Sequence, residues 1–227
     1  MSLYAILIIG VFIGPLALSF DKKVAFYKEI RFLILGLIVT GFIFLIWDEY
    51  FTIKQVWGFN PKYLLGIYLG HLPLEEVLFF IIVPYNCVFV HQVLKAYFPS
   101  IKLKNISSVF LISIAISALS LALFNYHNWY TFSTCSLAFL LCTTAILLKP
   151  KWLNNFSFTY LVCLIPFLFV NGILTGAATS APIVWYSESH IIGWRILTIP
   201  LEDIYYNFSL LILVIAFFEW QKGKSLS

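Results

Sequence analysis

Charge is what this chain has least of. Of its 227 residues only 11% are Asp, Glu, Lys or Arg, against about 25% in an ordinary globular domain. That leaves too little polar surface to cover a water-soluble body of this size, which excludes a soluble enzyme, a disordered tail and a nucleic-acid-binding module. Cysteine is scarce too. Cys87, Cys135, Cys142 and Cys163 all fall in apolar runs and none forms a C-x-x-C pair, so they read as small apolar side chains. No G-x-G-x-x-G element is present for a dinucleotide and no H-E-x-x-H motif for zinc. No basic stretch precedes the first apolar run, and Lys22 and Lys23 follow it, so that run does not read as a cleaved leader.

What the chain has is apolar length. Apolar residues make up 62% of it and aromatic residues 19%, with 23 Phe, 13 Tyr and 7 Trp. A helix needs about 20 apolar residues to cross the hydrocarbon core. Seven runs qualify as spans: 3–20, 31–47, 63–91, 107–124, 131–148, 158–175 and 190–219. Of the 14 basic residues, 11 fall on one side of this layout: Lys22, Lys23, Lys28, Arg31, Lys95, Lys102, Lys104, Lys149, Lys151, Lys222 and Lys224. Lys54 and Lys62 lie on the other side, and Arg195 falls inside the last run. By the positive-inside rule the N-terminus is outside and the C-terminus cytoplasmic. Small residues at Gly10/Gly14, Gly66/Gly70 and Gly172/Gly176 read as close helix contacts.

A repeat lies within these runs. Leu72-Pro73-Leu74-Glu75-Glu76 in the third is matched by Ile199-Pro200-Leu201-Glu202-Asp203 in the seventh, and aromatic pairs follow each, Phe79-Phe80 and Tyr205-Tyr206. Trp57 and Trp185 stand upstream of the two prolines at nearly equal distance. The expected architecture is an all-α membrane protein of two parallel three-helix repeats, 1–97 and 131–227, joined by a linking helix within 98–130. An odd linker leaves both repeats pointing the same way, so both acid pairs lie at one depth, near the middle of their spans.

Four acids inside a bilayer demand a reason, since one charged carboxylate at its centre costs at least about 2.5–3.5 kcal/mol. They could be ion-paired glue between helices, or protonated and inert. Only Arg195 and His71 stand nearby as cations, at i,i+7 from Glu202 and i,i+4 from Glu75, too few for four carboxyls. The functional alternative is that neighbouring carboxyls differ in protonation, so that one donates a proton into an apolar pocket and another holds a cation or takes a proton back. Pro73 and Pro200, read as interior helix residues, would free the carbonyls of Leu69 and Ile196 to add dipoles there. Asp48, Asn60, Asn86, Asn171 and Asn207 are further polar residues placed to orient a carboxyl. Trp57 and Trp185 read equally as interface anchors or pocket lining. His91 and His127 fall at expected membrane edges and read as surface residues.

These residues resemble a known family. Pro73-Leu74-Glu75-Glu76 with Phe79-Phe80, its partner Pro200-Leu201-Glu202-Asp203, Trp47-Asp48 and Trp57-Gly58-Phe59-Asn60-Pro61 are similar to the membrane-integral lycopene cyclases, in the form that carries both halves in one chain. The likeness covers the whole length and is strongest over 47–91 and 182–208. It implies a carotenoid β-cyclase that closes linear carotene ends to β-ionone rings by acid–base catalysis, with no flavin, other cofactor or metal. It implies Glu75, Glu76, Glu202 and Asp203 as the catalytic set and Arg195, His71, Asn60, Asp48 and Asn207 as support. Trp57, Phe79, Phe80, Trp185, Tyr205 and Tyr206 would line the substrate, since ring faces stabilise cations. The implied partners are a carotene, membrane lipid and either other carotenoid enzymes or a second copy, in a bacterial or archaeal cytoplasmic membrane.

Other membrane functions fit less well. A proton-coupled transporter shares a three-one-three layout and buried carboxyls, but few hydroxyls or amides surround these acids to hold a polar solute. A retinal protein needs a Schiff-base lysine in the last span, and 190–219 has none. An intramembrane protease and a magnesium-dependent prenyltransferase lack their motifs, since Asp48 and Glu49 alone do not form a diphosphate site.

Overall fold

A computed structural model describes residues 2–99 and 104–224. Lys102, counted above among the basic residues, lies outside them. Seven helices form the body: α1 (Leu3–Leu18), α2 (Ile30–Ile53), α3 (Leu74–Tyr97), α4 (Lys104–Phe124), α5 (Trp129–Leu148), α6 (Leu153–Leu174) and α7 (Glu202–Lys224). Six are long and apolar enough to cross a membrane. The first, α1, has 16 residues, fewer than a span ordinarily needs, and carries Pro15 near its end. Six short strands complete the fold: β1 (Trp57–Phe59), β2 (Tyr68–Leu69), β3 (Leu72–Pro73), β4 (Val184–Tyr186), β5 (Arg195–Ile196) and β6 (Ile199–Pro200). The order helix, helix, strand, hairpin, helix occurs on both sides of α4.

Two expected spans are shorter than their apolar runs. The run 63–91 becomes helical only at Leu74, and 190–219 only at Glu202. The cause is proline. Pro73 has φ −66° and ψ 150°, the extended conformation of a residue just before a helix. A residue without an N–H fits there, because the first N–H groups of a helix have no partner inside it. The preceding apolar residues fold back as antiparallel hairpins, Tyr68 opposite Pro73 and Arg195 opposite Pro200. Gly66, Gly70 and Gly193 take positive φ in these loops, and Leu197, at φ +57°, turns the second hairpin where Gly70 turns the first. Pro73 and Pro200 therefore start helices and free no carbonyl within one. Arg195 belongs to a surface hairpin and joins Lys54 and Lys62 at that end of the bundle.

Helix contacts interlock the two halves. The second helix, α2, packs on α7, and α6 packs on α3. Gly36 permits the first of these, since a Cβ there would stand 3.3 Å from both the Phe217 Cβ and the Val214 carbonyl oxygen. The three Gly-x-x-x-Gly pairs play no such part. Nothing lies within 4 Å of a Cβ built at Gly10 or Gly14, Gly66 and Gly70 are loop residues, and Gly176 (φ +111°) follows the end of α6. Strands β1 and β4 pair antiparallel, with Gly58 opposite Trp185, and tie the halves together at one end. At the other end His91 is wholly buried rather than on the surface. Its Nδ1 meets Thr159 Oγ1 at 2.8 Å and its Nε2 meets Glu219 Oε1 at 3.1 Å, while Lys95 donates to the same Glu219 oxygen. His127 is exposed, as expected.

Candidate active site

The acid pairs occupy the first turns of α3 and α7, at the helix ends rather than at mid-span. Helix N-termini offer unpaired N–H groups and the positive end of the helix dipole, the setting in which buried carboxylates are tolerated. All four side chains are buried, from 0% exposed at Glu75 to 9% at Glu76.

Within each pair the two acids face different surroundings. Glu75 Oε1 accepts from Ser2 Oγ (2.6 Å) and from the Leu65 N–H (2.7 Å). Glu202 Oε1 accepts from Thr131 Oγ1 and from the Ile192 N–H (2.7 Å). Each leading acid thus takes one hydroxyl from the start of a neighbouring helix and one backbone N–H from the loop ten residues before it. In both, Oε2 is buried without a partner. These two carboxyls clamp the hairpins to the helices.

The second acids both face a cavity that the two halves share. Glu76 Oε2 accepts from the Tyr4 hydroxyl. Asp203 accepts three hydrogen bonds, from Tyr130 (2.6 Å) on Oδ1 and from Asn171 Nδ2 (2.7 Å) and Tyr186 (3.0 Å) on Oδ2. Asp48, near the end of α2, accepts from Trp57 Nε1 on Oδ1, and its Oδ2 is buried without a partner. Glu76, Asp203 and Asp48 line one narrow cavity of about 60 Å³, together with Tyr4, Tyr130, Tyr186, Tyr206, Trp57 and Phe79. Desolvation, and after it the neighbouring Asp203 carboxyl, pushes the Tyr186 phenol well above its ordinary pKa, which keeps it a hydrogen-bond donor. Among the described residues no three His, Cys, Asp or Glu side chains come together as a metal-holding group.

The other expected residues separate into those the cavity gathers and those it does not. Counted from the prolines, Phe79 corresponds to Tyr206, not to Tyr205. Each stands three residues after the second acid, on its helix face, and both line the cavity. Phe80 is buried behind it against Phe44 and Tyr206, and Tyr205 turns to α4, donating to Ser117 Oγ at 3.0 Å. Trp57 lines the cavity, whereas Trp185 is 39% exposed. Strand alternation sends neighbours to opposite faces, so Tyr186 opposite Trp57 takes the inward place. His71 pairs with Glu49 on the surface (2.6 Å) and Arg195 with Glu188 (2.6 Å), so neither touches the acid pairs. Asn60 caps a surface turn, accepting from the Lys62 N–H. Asn86 donates to the Val11 carbonyl, and with Asn207 it lines a second cavity below the first. Ser2, Tyr4, Tyr130, Thr131 and Tyr186 had no signal in the pattern, because single hydroxyls at helix starts and strand positions carry no periodicity.

Gly58 holds this arrangement in register. A Cβ there would come within 2.3 Å of the Trp185 ring. Gly58→Ala is expected to push β1 from β4, destabilising the fold by about 1–3 kcal/mol. Because the same strands carry Trp57 and Tyr186, it should lower activity as well. Thermal unfolding in detergent and a turnover assay on the same sample check both effects.

The family model described as lycopene cyclase matches residues 1–94 and 127–221. A search of curated proteins and a search of solved structures each find no match. The two matched stretches contain every acid, tyrosine and strand named above, cover most of the chain, and place it in the lycopene cyclase family.

Proposed function

We propose that the chain is a lycopene β-cyclase that closes linear ψ ends to β-ionone rings by proton-initiated, redox-neutral cyclisation. The observation that carries this reading is the single cavity in which a carboxyl from each half, Glu76 and Asp203, meets a wall of tyrosines, Trp57 and Phe79. A proton added to the terminal C=C of the polyene leaves a tertiary cation. The neighbouring alkene attacks it, forms the ring bond and moves the cation into the ring. Loss of a ring proton to a base then restores a double bond. Hydrogens and electrons balance within substrate and carboxyls, so the product is an isomer and neither flavin nor metal enters a step.

Geometry supports a division of roles. Three donors on Asp203 stabilise its ionised form, and Oδ1, which accepts from Tyr130 alone, keeps a lone pair for a proton; it serves as the carboxylate facing the cation and as the base. Glu76 accepts at Oε2 alone, which leaves Oε1 for the proton it donates. Ring faces of Tyr206, Trp57 and Phe79 shelter the cation, and Asp48 adds a further carboxyl to the wall. Glu75 and Glu202 position the hairpins and do not reach the substrate. Basic residues at the opposite end of the bundle favour placing this cavity on the outer side, with the N-terminus outside and the C-terminus cytoplasmic.

The test is the pigment of a lycopene-making host with and without the chain. Appearance of β- or γ-carotene is expected. Unchanged lycopene with the protein present in the membrane contradicts the reading, and a solute flux in vesicles with no pigment change favours a transporter.

A further inference from the structure

The acid cavity does not end at its own walls. A second cavity of about 70 Å³ adjoins it and shares Phe79, Phe167 and Asn171. Its remaining wall is mostly apolar: Val11 of α1, Val83 and Cys87 of α3, and Cys163, Pro166 and Val170 of α6. From Glu76 to Cys87 is 11 residues of α3, or about 17 Å of helix, so the two cavities follow α3 from its start to its middle. Lipid-facing side chains flank this path on both outer helices, Ile9 and Ile13 on α1 and Ile165 and Phe169 on α6, each more than half exposed. Two polar atoms in the wall have no partner, Asn86 Oδ1 and Asn207 Nδ2. Asn207 is 3% exposed.

We infer that the apolar cavity holds the unreacted chain of the polyene, and that the chain slides from the bilayer between α1 and α6, end first, until its terminal C=C passes Phe79 and Phe167 to the acids. This rests on the cyclase reading above and adds a path and a binding site to it. A solute rich in hydroxyls would find only the Asn86 and Asn207 amides as free partners along this wall, too few for several hydroxyls, whereas an extended hydrocarbon leaves none of its own groups unsatisfied. The Asn207 amide then points an N–H at the π electrons of the chain, a weak contact but better than none. Phe79 and Phe167 form the neck, and they set which end groups pass.

Trp substitutions on two helices test the path, with binding read apart from chemistry. In a Glu76→Gln background, which should keep substrate and convert it only slowly, linear carotene is expected to co-purify with the protein. Adding Val83→Trp or Val170→Trp should lower the bound carotene at least about tenfold, the equivalent of about 1.4 kcal/mol of affinity. With Glu76 restored, each single variant should lose cyclisation by a similar factor, whereas Leu140→Trp on the exposed face of α5, away from both cavities, should leave it unchanged. If a Trp variant elutes aggregated, Val83→Phe and Val170→Phe are read in its place on folded protein. Wild-type binding and turnover in the folded filled variants overturn the path while the cyclase reading stands. Failure of the wild type itself to make cyclic carotene overturns the cyclase reading instead.

Discussion

Glu76→Gln is expected to slow ring formation by about two to four orders of magnitude while the protein folds as before. The amide keeps a carbonyl oxygen to accept from Tyr4 but has no acidic proton to give. General acid–base groups contribute about 10²- to 10⁴-fold to rate, and a loss in that range is expected here. Asp203→Asn should do the same for another reason. Its amide can keep the oxygen toward Asn171 and Tyr186 and turn the NH₂ to the Tyr130 hydroxyl, which accepts as well as donates, so the packing survives while the carboxylate facing the cation is gone. HPLC of carotenoids from purified protein with lycopene gives the rates, and size-exclusion elution shows that both variants fold. Cyclisation at the wild-type rate by either variant removes that residue from the catalytic set.

Glu75 and Glu202 should fail differently. Glu75→Ala strands the Leu65 N–H, while the Ser2 hydroxyl keeps the Tyr63 carbonyl at 2.6 Å, and Glu202→Ala strands the Thr131 hydroxyl and the Ile192 N–H. Each stranded buried group costs about 1–3 kcal/mol, so Glu75→Ala should lose about 1–3 kcal/mol and Glu202→Ala about 2–4 kcal/mol, each releasing its hairpin. Glu75→Gln and Glu202→Gln keep the accepting oxygen and should recover most of the stability and much of the activity. Thermal unfolding in detergent compares the four variants. If the glutamine variants are as inactive as Glu76→Gln while fully stable, the leading acids take part in proton transfer after all and the division within each pair is wrong.

Much of this was legible in the residues, and what was not follows from particular side chains. Apolar run length finds all seven helices because a lipid-facing helix needs nothing else. The doubled Pro-Leu-acid-acid points to the candidate site and carries the likeness to the family. Run length fails at 63–73 and 190–201, where hairpins beside the bilayer are as apolar as a span: Leu65, Ile67, Leu69, Trp194 and Leu197 are all exposed there. Pro followed by two acids is a helix-start signature, and reading it that way moves the acids from mid-span to the first turn. Once there, their burial needs hydroxyls and N–H groups rather than cations, which is why Arg195 and His71 are free to make surface ion pairs. The split within each pair could not be read from spacing. It depends on Ser2, Thr131 and two loop N–H groups that meet the acids only in three dimensions.

The central claim is that a protein carboxyl in the shared cavity protonates the polyene and another takes a proton back. Cyclisation of lycopene by purified protein in D₂O, without flavin or nicotinamide, tests it most directly by mass spectrometry of the product. The account predicts one deuterium gained for each ring formed, and ring formation at least about a hundredfold slower by Glu76→Gln. Rings formed without deuterium, or at full rate by Glu76→Gln, would contradict it.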